Sequence, residues 1–109
     1  MLPASHRLPH GRRLSQGQTF RNPLFLLKIE RNTEEKSRFG IIISKKIDKR
    51  AVRRNRMRRL LQNFIQEHMA LFPESSDNLF IVNAAFEHLP ENLESELEHY
   101  FKITHEKNT

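Results

Sequence analysis

No cysteine occurs among the 109 residues. Disulfides, thiolate metal sites and thiol nucleophiles are therefore excluded, and the composition fits a reducing compartment, so a cytoplasmic location is expected. Long apolar runs are lacking too. Runs such as Leu24 to Leu27 and Ile41 to Ile43 fall far short of the roughly 20 residues that span a bilayer. No apolar stretch of the length a secretory signal needs follows the start, so neither a leader peptide nor a membrane partner is expected. Repeats and low-complexity tracts are absent as well. The apolar share, 37%, is low for a globular chain but above a disordered composition. The length allows one modest core. The expected organisation is a single domain over 1–109, mostly irregular through residue 18 and packed from about 19 to 103.

Acidic residues are scarce in the first half. Residues 1–60 hold 17 Lys or Arg against Glu30, Glu34, Glu35 and Asp48, a net +13, whereas residues 61–109 carry −7. A polyanion should meet one side of such a molecule and be repelled by the other.

What the chain does contain is short, patterned segments. Leu24 to Ile29 reads as a strand covered on both faces, and Phe39 to Ser44 is β-branched and reads as a second strand. The polar Arg31–Ser37 turn between them suggests a hairpin. After Asp48 the period becomes helical: Met57, Leu60, Leu61, Phe64, Ile65, Leu71 and Phe72 share one face, Asn55, Arg59, Gln62, Asn63 and Gln66 the other, and Pro73 closes the helix. Leu79 to Val82 is a further strand. Pro90 suits the first position of a last helix, with Leu93, Leu97 and Phe101 inward and Glu91, Glu94 and Glu98 near its positive end. Strand, strand, helix, strand, helix gives an α/β (α+β) two-layer sandwich, and the sheet is expected to be small and mostly four-stranded, one strand more than these segments supply.

The chemistry concentrates between Lys45 and Arg59. Lys45, Lys46, Lys49, Arg50, Arg53, Arg54, Arg56, Arg58 and Arg59 crowd a strand end and the start of the long helix. Guanidinium forks match phosphate oxygens and stack on bases, and a helix start adds its own positive end. Charge alone leaves open a solvated face, a coiled-coil flank or a localisation signal. Asn55 favours nucleic acid, because a neutral amide among outward arginines adds nothing to a purely electrostatic patch and can hydrogen-bond phosphate, ribose or a hydrated metal. The alternative is a helix-start residue satisfying backbone.

Arg38-Phe39-Gly40, Ser44-Lys45-Lys46 and Ala51-Val52-Arg53-Arg54-Asn55-Arg56-Met57-Arg58-Arg59-Leu60-Leu61 resemble the signature of the bacterial ribonuclease P protein component. The resemblance spans about Pro23 to Phe101, and the Arg-Asn-Arg block is its specific part. It implies a protein subunit of an endoribonuclease that binds a catalytic RNA and helps remove the 5′ leader of precursor tRNA. The Mg²⁺ ions are then held by the RNA, and the protein carries no catalytic residue and no metal. Carried over by position, Lys45, Lys46, Arg54, Asn55, Arg56, Arg58 and Arg59 become RNA contacts, with Arg50 and Arg53 as further phosphate contacts. The family's leader cleft on the sheet points to Phe25, Lys28 and Phe39, with core packing as the alternative for both phenylalanines. The resemblance also implies a left-handed strand–helix–strand crossover, against the general rule. It implies the catalytic RNA and the precursor leader as partners, with no obligate protein partner.

Two departures stand out. The family's N-terminal helix carries F-x-x-V-F before a Gly, but Pro9 to Gln16 supply no Phe, so this helix is expected to be shortened or absent. The basic face is also thinner where Gln62 and Asn83-Ala84-Ala85 stand. The competing readings are a ribosomal or other structured-RNA-binding protein, and a protein-only nuclease. The second needs acidic metal ligands near the patch, where Asp48 stands alone. The six histidines lack ligand spacing, and His68 is expected at the edge of the core.

Overall fold

The computed structural model describes residues 4–9, 14 and 17–107. The region where a family-type N-terminal helix was sought falls largely on residues 10–13, 15 and 16, outside the described ones. Four strands, β1 (Gln18–Arg21), β2 (Phe25–Arg31), β3 (Arg38–Ile42) and β4 (Ser76–Val82), form one sheet, with the helices α1 (Ala51–Glu67) and α2 (Leu93–Lys107).

The spatial order is β1-β2-β4-β3, with β1–β2 and β2–β4 antiparallel and β3–β4 parallel. The expected hairpin of β2 with β3 does not form, because β4 lies between them. Ser76 to Phe80 and Val82 are all buried, so β4 gains most from a central position, and the loop over residues 32–37 is long enough to step across the two strand spacings of about 5 Å each. β3, α1 and β4 thus make a parallel crossover. β1 was not foreseen. Its single apolar residue, Phe20, sits opposite Leu27 and meets Tyr100 edge-on at 5.4 Å.

Strand alternation sorts the sheet into two faces. Phe20, Phe25, Leu27, Ile29, Phe39, Phe80 and Val82 join Met57, Leu61, Phe64 and Ile65 of α1 and Leu93 and Leu97 of α2 in one buried cluster. Phe72 ties it together, with ring contacts to Phe39 at 5.0 Å, Phe101 at 5.6 Å and Phe80 at 6.2 Å. The opposite face carries Arg21, Leu26, Lys28, Glu30, Asp77, Leu79, Ile81, Arg38, Gly40 and Ile42, as the pairing register requires.

Helix ends differ in detail from the sequence expectation. α1 stops at Glu67, and a 3-10 turn over Met69–Leu71 carries the chain to Pro73. His68 stacks on Phe64 at 4.3 Å between centroids and its Nδ1 lies 2.9 Å from the Phe64 carbonyl oxygen, which places it at the core edge. Pro90 shapes the turn before α2, where its carbonyl accepts the Leu93 N–H at 3.2 Å, instead of occupying the first helical position.

The N-terminal segment runs beside the free edge of β3. Arg7 bridges Phe39 in parallel register, Leu8 N–H donates to the Phe39 carbonyl at 2.8 Å, and His6 Nδ1 lies 2.7 Å from the Ser37 carbonyl oxygen. Leu8 folds onto Gly40, where an added Cβ would lie 3.2 Å from Leu8 Cδ2 and 3.1 Å from Leu79 Cδ1.

Candidate nucleic-acid interface

The basic segment divides between a turn and a helix start. Lys45, Lys46 and Ile47 form the turn, closed by the Ile47 N–H donating to the Ser44 carbonyl at 3.1 Å. Both lysines are exposed, while Ile47 packs against the core. α1 then starts with Arg50 as its N-cap residue and no side-chain cap, no acid in its first turn, and Ala51 and Val52 exposed. Such a start leaves N–H groups open to an anion.

One carboxylate organises this region. Asp48 Oδ1 accepts the Arg50 backbone N–H at 2.9 Å and Arg50 Nε at 3.2 Å, and Oδ2 lies 2.9 Å from Arg53 Nε. The hydrogen bond from the Arg50 backbone N–H, then that from the Arg50 side chain, holds the Asp48 carboxyl below its ordinary range. Arg53 also approaches Glu87 at 3.7 Å. Arg54 turns back on the chain, its Nη1 donating to the carbonyls of Asp48 at 2.9 Å and Lys49 at 3.0 Å. Three of the arginines expected to meet RNA are thus engaged within the protein.

The remaining cations differ. Lys45, Lys46, Lys49, Arg56 and Arg59 are exposed, and no hydrogen bond or ion pair engages their side chains among the described residues. Asn55 is exposed on the fifth position of α1, and its Oδ1 accepts Arg58 Nη1 at 3.4 Å, so its amide is not consumed by capping. Arg58 and Gln62 line a groove whose opposite wall is built by Arg7 and Leu8, over Phe39, Gly40 and Ile41 of β3. Gln62, expected on the outward face, is half-buried there.

The leader-surface expectation needs correction at two of its three residues. Phe25 is 0% exposed and Phe39 2%, and both rings belong to the helix-facing core. Alternation along β2 and β3 turns them inward, so neither offers a free ring face for a base to stack on. Lys28 lies on the opposite face, half-buried, one residue from each buried neighbour. The pairing register adds what sequence reasoning missed: Thr19 sits beside Lys28, and Arg21, Leu26, Ile81 and Ile42 form the next row across the sheet. Ile42 is 47% exposed. This face is aliphatic and basic, with no aromatic ring in either row.

Among the described residues no three His, Asp or Glu side chains come together to hold a metal ion, and no helix is long and apolar enough to cross a membrane. The donor set around Asp48 is arginine, which repels cations.

A family model described as Ribonuclease P matches residues 9–105. The chain belongs to the ribonuclease P family. The match takes in all of Ser44–Lys46 and Ala51–Leu61. A ribonuclease P protein component from Prochlorococcus marinus (strain MIT 9301) is 35% identical over 78 residues, covering 71% of this chain and 61% of that protein. Another, from Marinomonas sp. (strain MWYL1), is 46% identical over 44 residues, covering 40% and 33%. The chain spans between 33% and 61% of the length of the first curated relatives it matches. Among solved structures, a Staphylococcus aureus RNase P protein mutant with defective mRNA degradation activity superposes with a TM-score of 0.72 at 25% identity, covering 92% of this chain and 88% of that one. Ribonuclease P family membership thus rests on a match across nearly the whole chain, and the fold agrees with a solved ribonuclease P protein.

Proposed function

We propose that this chain works as the protein subunit of ribonuclease P, binding the catalytic RNA and assisting removal of the 5′ leader from precursor tRNA. The observation that carries the reading is the exposed array of Lys45, Lys46, Lys49, Asn55, Arg56 and Arg59 around an uncapped helix start, within a chain of the ribonuclease P family. Each phosphate neutralised by such a cation releases counterions, so affinity should fall steeply with salt.

The chemistry is assigned to Mg²⁺ ions bound by the RNA, which activate water and stabilise the leaving oxygen. The chain's own part is positioning. Lys45, Lys46, Arg56 and Arg59 would hold phosphates, Asn55 would add a neutral hydrogen bond, and Arg58 would act from the groove beside Gln62. Arg50, Arg53 and Arg54 would shape the surface and add charge from their Asp48-bound positions. Lys28, with Arg21 beside it, is the proposed contact for the leader backbone on the open sheet face. No protein side chain is given a catalytic role, and no further protein partner is required.

The test is a reconstitution. The full chain is combined with bacterial ribonuclease P RNA and precursor tRNA at limiting Mg²⁺, and leader release is timed. Faster release than with RNA alone is expected. No gain overturns the reading in favour of a structured-RNA-binding protein without a cleavage role, and cleavage without the RNA points to a protein-only nuclease.

A further inference from the structure

The single acid inside the basic segment sits where it should harm phosphate binding. Asp48 is surrounded by nine Lys and Arg between residues 45 and 59, and on charge alone its removal would strengthen attraction to any polyanion. Its side chain is only 7% exposed, however, because arginines cover it. Through its carboxylate it holds Arg50 and Arg53, and through its carbonyl it receives Arg54. It therefore fastens the end of the lysine turn to the first turn of α1 at three points, while Ile47, its neighbour, is anchored on the core.

We infer that Asp48 is a positioning residue for structured RNA, fixing the spacing of Lys45, Lys46 and Lys49 relative to Arg56 and Arg59. The inference rests on the RNA-binding surface proposed above and adds which residue sets its selectivity. A folded RNA presents phosphates at fixed separations, so cations already held in matching places lose less freedom on binding. A flexible polyanion adapts to any arrangement and counts charge only. Asp48 thus trades raw electrostatic attraction for discrimination between folded and unfolded RNA.

The experiment compares the full chain with Asp48→Asn and Asp48→Glu in titrations of two probes, transcribed bacterial ribonuclease P RNA and poly(U), at matched salt. Asp48→Asn keeps the shape but weakens its hold on Arg50 and Arg53. It should bind the ribonuclease P RNA about tenfold more weakly, the scale of a lost charge-assisted hydrogen bond, and bind poly(U) equally or more tightly. Asp48→Glu keeps the charge but displaces it, and should also bind the structured RNA more weakly. If Asp48→Asn is folded by circular dichroism and binds that RNA as tightly as the unaltered chain, or more tightly, the inference is overturned. If Asp48→Asn does not fold, Asp48→Glu decides by the same comparison. A double variant, Arg56→Ala with Arg59→Ala, separates the two levels. If it binds the ribonuclease P RNA like the unaltered chain, the surface itself is misplaced. If it weakens binding and the Asp48 variants do not, only the role of Asp48 falls.

Discussion

Arg38 grips Asp77 across the parallel β3–β4 pair with both ends of its fork, Nε to Oδ1 at 2.8 Å and Nη2 to Oδ2 at 3.0 Å. The Asp77 side chain is fully buried, the two residues are register partners, and Asn32 Nδ2 adds a third hydrogen bond at 2.8 Å. The pair closes the loop over residues 32–37 against the central strand. Arg38→Ala should destabilise the fold by about 3 kcal/mol, because it takes the guanidinium charge and two hydrogen bonds away from a buried carboxylate. Arg38→Lys should recover only part, because a single ammonium nitrogen cannot reproduce the planar fork that reaches both oxygens of Asp77. Urea unfolding monitored by circular dichroism measures both, and a loss under about 0.5 kcal/mol, the scale of an ordinary surface substitution, contradicts the account.

Gly40, two residues on, shares this face. An added Cβ would meet Leu79 Cδ1 at 3.1 Å and Leu8 Cβ at 3.3 Å, so Gly40→Val should push the N-terminal segment off the sheet at a cost of about 1–3 kcal/mol. The readout is limited trypsin digestion, where the variant should be cut sooner after Arg7.

Asp48 gives a pH dependence with a definite sign. Its carboxyl is held below the ordinary value of 3.8 by hydrogen bonds from Arg50. A depressed carboxylate contributes stability that is complete well above the ordinary value and is lost as pH falls through the folded one. The stability difference between the unaltered chain and Asp48→Asn should therefore be constant from neutrality down to about pH 5 and shrink below pH 3.8. A difference that instead grows on acidification would contradict the assignment. Thermal unfolding across that range provides the measurement.

The legible part of this fold was the periodic part. The α1 face built on Met57, Leu61, Phe64 and Ile65, the inward Leu93 and Leu97, and the cores of β2, β3 and β4 all follow from local spacing. Strand order did not, because β4 reaches its place between β2 and β3 through pairings some fifty residues apart in sequence, such as Phe25 with Val82. No local signal encodes that choice. The candidate site shows the same limit. Position in the sequence marked every cation from Lys45 to Arg59, but only the fold separates those bound to Asp48 from those left open. Arg38 and Gly40 stood out as a signature, and the structure gives them packing roles. For Phe25 and Phe39 the alternation itself held the answer, since Phe25, Leu27 and Ile29 share the buried face of β2 while Lys28 takes the other.

That difference between faces can be tested directly. Phe25→Ala empties a fully buried site against Phe80, whose ring centroid is 5.1 Å away, and should cost about 3–5 kcal/mol. Lys28→Ala should leave stability within about 0.5 kcal/mol yet weaken leader binding, read as loss of affinity for precursor tRNA with a leader but not for mature tRNA. Equal effects of Lys28→Ala on both RNAs would remove Lys28 from the leader surface.

Arg54 and Arg56 flank Asn55, and their neighbours separate their roles. Arg56 is exposed with no partner among the described residues, whereas Arg54 donates to the Asp48 and Lys49 carbonyls. Arg56→Ala should leave unfolding unchanged, lower affinity for ribonuclease P RNA and flatten the dependence of log Kd on log salt by close to one phosphate contact, about 0.7–0.9. Arg54→Ala should cost about 1–2 kcal/mol of stability through the lost hydrogen bonds. Its RNA affinity should fall mainly because the lysine turn loosens, so the salt slope should change less than for Arg56→Ala. Binding isotherms at four or five salt concentrations, with unfolding curves for each variant, distinguish the two. If both variants change the slope equally and neither changes stability, Arg54 contacts phosphate directly and its clasp on the turn carries no weight in the folded protein.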